Sequence, residues 1–232
     1  MSNIKFWVSV SMLTALASCG GGGGGGSNTS TVVASTNAFN LRAGYVSLVS
    51  TGYAKTFTLS GTCTGTFTTT STAASTSATF ETAPALSATE TATATLVGCT
   101  PSSIASTGTR YFNTSYMPLG FNFPSANYGV YASVPVISTA AHVGDTAIVG
   151  TVNLFTDSTK ATSAGHEDVS YVINPDTSTT AIVDLITKSY NASNVLLSTE
   201  QDFYRMAANG TLTAISLDIQ YANGSTTHLV GN

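Results

Sequence analysis

His166-Glu167-Asp168 is the densest group of ionisable side chains in this chain that could hold a metal ion or move protons. Three consecutive ligands make a poor cage, because an extended backbone sends neighbouring side chains to opposite faces. The triplet follows Ser163-Ala164-Gly165 and reads as a solvated turn between two strands. His142 stands near Asp145 and His228 lies near the C-terminus, so either would need partners far off in sequence to build a site. Gly61-Thr62-Cys63-Thr64-Gly65 has the glycine spacing of a nucleophile elbow with cysteine in place of serine. An elbow requires a strand breaking into a helix, whereas a two-residue alternation runs straight through this cysteine. Without a GxSxG, HExxH or paired-carboxylate motif, the chain reads as non-enzymatic, with no catalytic residue, metal ligand or cofactor expected. The charges that remain suit binding or surface roles. Glu200 and Asp202 share parity with Leu196 and Tyr204, and Asp184 and Lys188 share it with Ile182, Ile186 and Tyr190. Both sets read as a solvated sheet face with cross-strand pairs, the alternative being the polar lining of a ligand cavity in a curled sheet.

The elements that must carry these residues are mostly strands. Hydrophobic residues make up 42% of the 232 and charged ones 8%, enough apolar material for a core and too little basic charge for a nucleic-acid partner. Residues 37–50 show one helical face, with Phe39, Arg42, Ala43, Val46 and Val49, a cap at Asn37 and a stop at Gly52. The period then changes to two. Over residues 55–70, Phe57, Leu59, Gly61, Cys63, Gly65 and Phe67 share one side while threonines and Ser60 fill the other, the pattern of an antiparallel strand with one buried face. Residues 89–97 alternate Thr with Ala, and their parity places Cys99 with the threonines unless Gly98 carries a bulge. Further strands are expected over residues 148–156, 169–174, 180–190, 195–206, 211–221 and 226–230. Asn174-Pro175-Asp176, residues 191–194, Asn209-Gly210 and Asn223-Gly224 punctuate them. The expected fold is mostly β, with antiparallel sheets forming a sandwich or two small packed β domains and ending in a C-terminal meander of about six strands.

Residues 1–19 specify an address. Lys5 supplies a positive n-region, residues 6–17 an apolar stretch too short to span a bilayer, and Leu16-Ala17-Ser18-Cys19 ends it before seven glycines, Gly20 to Gly26. That run of glycines lacks the strand before it and the helix after it that a phosphate cradle needs. The segment resembles the lipobox of bacterial lipoproteins. The resemblance implies cleavage after residue 18, diacylglyceryl and palmitate attachment at Cys19, and outer-membrane retention, since Gly20 follows the cysteine where inner-membrane retention favours Asp. Residues 1–18 are then a signal peptide and 19–36 a lipidated tether rich in Gly, Ser and Thr. Residues 37–140 form a Thr-rich β region and 141–232 the meander. With Cys19 taken by the lipid, Cys63 and Cys99 remain as a disulfide pair, expected to form in an oxidising periplasm.

Tyr111, Phe112, Tyr116, Phe121, Phe123, Tyr128 and Tyr131 place seven of 21 aromatic residues within 21 positions, interrupted by Pro118, Gly120 and Pro124. This segment reads as an irregular, ordered connection whose rings plug the junction of two sheets, the alternative being an exposed stacking platform. Tyr111, Tyr116, Tyr128 and Tyr131 are the candidate contacts for a partner. The functional expectation is a lipid-anchored cell-envelope protein with a non-enzymatic binding, adhesion or structural role toward an envelope protein or glycan. The alternative is a carrier of a small apolar ligand.

Overall fold

The computed structural model describes residues 34–232, so the lipobox and most of the tether lie outside the described residues. One helix, α1 (Leu41–Thr51), precedes thirteen strands. They are β1 (Tyr53–Gly61), β2 (Thr64–Ser71), β3 (Thr76–Phe80), β4 (Ala83–Val97), β5 (Ser103–Phe112), β6 (Pro118–Asn122), β7 (Tyr128–Tyr131), β8 (Thr146–Phe155), β9 (Ser163–Pro175), β10 (Thr180–Asn191), β11 (Leu196–Ala207), β12 (Leu212–Tyr221) and β13 (Thr226–Gly231). Every pairing is antiparallel. From β4 to β13 each strand pairs with the next. β13 returns to β1, β1 pairs with β2, and β2 pairs with β4. Twelve strands therefore close into one barrel, with β3 as an outlying hairpin on β4.

The sandwich, or pair of packed β domains, is thereby corrected: β8 to β13 do run as six consecutive neighbours, but both halves of the chain share one closed wall. The strand read over residues 55–70 is also two strands, β1 and β2, around a tight turn. Its register pairs Phe57 with Phe67 and Leu59 with Gly65, residues of like parity, so the alternation passes through the turn unbroken. The segment expected to be an irregular connection is likewise part of the wall, as the end of β5, β6 and β7. Pro118 is tolerated there because it opens its strand.

On β1, β2 and β4, alternation gives a largely apolar inner face and a hydroxyl-covered outer one. Phe57, Leu59, Phe67, Ala92, Ala94 and Leu96 are buried inward, whereas Thr56 and Thr68 meet across β1 and β2 at 3.1 Å, and Thr70 and Thr91 across β2 and β4 at 2.5 Å.

The helix starts at Asn40, whose Oδ1 accepts from the Ala43 amide at 2.9 Å, and stops at Gly52, where φ is +74°. The cap is therefore Asn40 rather than Asn37. The helix closes one barrel mouth. Leu41, Tyr45, Leu48 and Val49 face the interior. Gly44 packs so closely on the β11–β12 turn that a Cβ there would lie 2.5 Å from the Gly210 carbonyl oxygen. At the opposite end the Cys63–Cys99 disulfide ties the β1–β2 turn to the β4–β5 turn. Because β4 ends at Val97, Cys99 sits beyond the alternating pattern, and Gly98 (φ +79°) is a turn residue rather than a bulge.

Candidate functional site

The chemistry of this protein is concentrated inside the barrel. A closed barrel of about eight strands is just filled by its own side chains, and wider ones leave space. Here twelve strands surround an interior whose β4 wall carries the small residues Ala88, Ala92 and Ala94. The space left over is a cavity of about 260 Å³ between β1, β2, β4, β11, β12 and β13, and a second of about 140 Å³ beneath the helix. Leu48, Tyr53, Tyr204 and Leu212 border both. Phe57, Leu59, Phe67, Leu217 and Leu229 supply much of the apolar wall of the larger one.

A polar belt crosses this apolar interior. On β5, Arg110 donates from Nε to Glu90 Oε2 at 2.6 Å and from Nη2 to Glu90 Oε1 at 3.4 Å. The Tyr53 hydroxyl donates to the same carboxylate at 3.4 Å. The Arg110 guanidinium also lies 5.6 Å from the centres of the Phe121 and Phe123 rings, a cation–π contact. Burial pulls the guanidinium down, but the Glu90 carboxylate outweighs it and holds Arg110 above its ordinary value. Glu167 on β9 is buried and accepts from the Ser189 hydroxyl at 3.3 Å.

Glu200 and Asp202, neighbours on the inward face of β11, line the larger cavity. Glu200 is 7% exposed and Asp202 5% exposed. Glu200 Oε1 has no hydrogen-bond partner. Burial raises the Glu200 carboxyl well above the ordinary carboxylate range, and the negative charges of Asp202 and Glu167 add to this. Burial raises Asp202 as well, with Arg110 opposing and Glu90 reinforcing. Burial also lifts the hydroxyls of Tyr45, Tyr53 and Tyr204 above the tyrosine range, and pushes Tyr131 up to about 12. The tyrosine hydroxyls are therefore neutral hydrogen-bonding groups at neutral pH.

The residues singled out from sequence fare differently. Glu200 and Asp202 do not lie on a solvated face; they form the interior lining, as the less favoured reading had it. Lys188 and Asp184 take the opposite face of β10 from the inward Val183 and Thr187, and Asp184, though buried, accepts from Asn174 Nδ2 at 2.8 Å. His166-Glu167-Asp168 is not a turn: it lies within β9, and alternation sends Glu167 inward while His166 stacks on Tyr190 at 4.7 Å. His142 approaches Asp145 at 3.8 Å, and His228 pairs with Asp218 across β12 and β13.

The four candidate tyrosines do not converge. Tyr131 points into the barrel, and Tyr116 sits by α1 with Val49 and Phe112. Tyr128 is buried on the outer face, where Phe80 lies over it and over Tyr111, at ring distances of 5.6 and 4.6 Å. There the β3–β4 turn folds across the wall: Glu81, held at φ +48°, accepts from the Tyr128 hydroxyl at 2.6 Å and pairs with Lys160. Phe121 and Phe123 are inward and buried, edge to face at 5.7 Å. Sequence reasoning missed Arg110 and Glu90; their inward parity on Ala- and Thr-rich strands was the available signal.

No protein-family model, curated protein or solved structure matches this chain.

Proposed function

We propose that the protein is a lipid-anchored cell-envelope binding protein whose barrel takes up a small ligand with an apolar body. The observation that carries this reading is the cavity of about 260 Å³ walled by Phe, Leu and Ala side chains. Its size lies between the roughly 150 Å³ that accommodates a benzene and the roughly 300 to 1,000 Å³ of pockets for drug-sized ligands. A purely adhesive or structural barrel would gain stability by filling that space, since unfilled volume costs dispersion contacts. The threonine-rich outer face of β1, β2 and β4 supports a barrel that sits in water beside a bilayer. Attachment at the outer membrane is then the task of the lipid on Cys19.

The experiment is a calorimetric titration of the purified full-length protein with octan-1-ol, repeated on Ala94→Phe, which places a ring in the cavity. Saturable binding that is lost in a folded Ala94→Phe supports the reading. No saturable binding, or binding unaffected by the ring, refutes it.

A further inference from the structure

Building on that reading of the cavity, we propose that the ligand carries a protonated amine, held by Glu200 and Asp202 while its apolar body lies against Phe57, Phe67 and Leu229. Three observations converge. Glu200 Oε1 is buried without a partner at the cavity wall, and a carboxyl oxygen withdrawn from water is costly unless something bonds it. The interior is acidic: four carboxyls, Glu90, Glu167, Glu200 and Asp202, share the single guanidinium of Arg110, which Glu90 already holds through two nitrogens. The rest of the cavity wall is mostly apolar, interrupted by Lys55, Thr69, Thr213, Thr227, Tyr53 and Tyr204, so a ligand that fills it brings mostly hydrocarbon and one polar end.

The sign of that end follows from the field. An anionic end would bring a further negative charge into an interior where the carboxyls of Glu90, Glu167, Glu200 and Asp202 already outnumber the guanidinium of Arg110. An ammonium is attracted by both, and its N–H donors reach an acceptor that is otherwise unused. Burial raises both carboxyls by penalising their charged form, and an ammonium beside them supplies the countercharge that favours it. The charged and titratable groups facing the pair are Glu90 on β4, Arg110 on β5, Glu167 on β9, Tyr53 on β1, Tyr204 on β11 and Tyr221 on β12. Among them only Arg110 is cationic, and Glu90 holds it; Lys55, which also lines the cavity, donates from Nζ to the Asn232 carbonyl oxygen at 2.5 Å.

The test compares three ligands of one length, octylamine, octan-1-ol and octanoate, titrated calorimetrically into the full-length protein and into Glu200→Gln and Asp202→Asn. Octylamine is expected to bind about tenfold or more tightly than octan-1-ol, the scale of a charge-assisted hydrogen bond, with octanoate weakest. Glu200→Gln, which keeps the side-chain shape, is expected to remove most of that preference while leaving octan-1-ol within about twofold, because the alcohol's apolar contacts persist. If octan-1-ol binds and octylamine binds no better, the amine is refuted and the apolar-ligand reading stands. If the preference survives in both Glu200→Gln and Asp202→Asn, the carboxyl assignment is wrong. If none of the three binds, both proposals fall.

Discussion

Replacing Glu200 with Gln should make the barrel more stable at neutral pH and flatten the dependence of its stability on pH. Glu200 and Asp202 are both held well above the carboxylate range, chiefly by burial. In the unfolded chain the same groups release their protons near pH 4, so above that point the folded state binds more protons than the unfolded one. Stability must then fall as pH rises, from about pH 4 up through the raised values. Each carboxyl still protonated in the fold costs about 1.4 kcal/mol per pH unit, so the pair gives a slope of up to about 2.7 kcal/mol per unit. The two titrate together, and the slope belongs to the pair. Glu81 and Asp176 act in the opposite sense: hydrogen bonds from Lys160 and from Arg205 hold them low, so what they contribute is lost as pH falls below their ordinary range. Stability should therefore peak in mildly acidic solution. Urea unfolding with the disulfide intact, at intervals of one unit from pH 5 to pH 8, reads the slope directly. Glu200→Gln should make it shallower. A wild-type profile that is flat or rises over this interval, or a variant with an unchanged slope, would refute the raised titration of these buried carboxyls.

Breaking the link between the β1–β2 and β4–β5 turns with Cys63→Ser should cost about 2–4 kcal/mol of unfolding free energy, measured by urea denaturation against the oxidised protein. Phe121→Ala empties an inward site that packs on Phe123 and under Arg110, and should cost about 3–5 kcal/mol; a loss below about 1 kcal/mol would mean the ring is not part of the core. Cys19→Ser should move the protein from membrane to soluble fractions, and mutant protein retained in membranes after a high-salt wash would count against the lipid as the attachment.

The legible parts of the fold were those with local signals. The strands from β8 to β13 were readable because alternation is broken by turn chemistry that the structure uses as expected. Asn209 and Asn223 accept from the amides of Thr211 and Ser225 at 3.0 Å, and Gly210 and Gly224 adopt positive φ. The β1–β2 turn was hidden because its register pairs residues of like parity. Closure was hidden for a different reason. The pairings of β1 with β13 and of β2 with β4 join strands far apart in sequence or separated by another hairpin, and no residue near them announces a partner. In the site, the parity of Glu200 and Asp202 with Tyr204 was visible, but whether that face was wet or enclosed depended on closure. Pro118 and Gly120 looked like breakers. Pro118 in fact opens β6, and at Gly120 a Cβ would lie 2.4 Å from the Phe80 ring, so the glycine records a packing contact that no local pattern reveals.

The central claim, that a small apolar ligand is taken up inside the barrel, is tested most directly by methyl NMR during a titration with octan-1-ol. The account expects saturable shift changes at Ala92, Ala94, Leu217 and Leu229, which line the cavity. Changes confined to the exposed Val134, Val136 and Ile148 on the outside of the barrel, or no saturable change at any methyl, would contradict it.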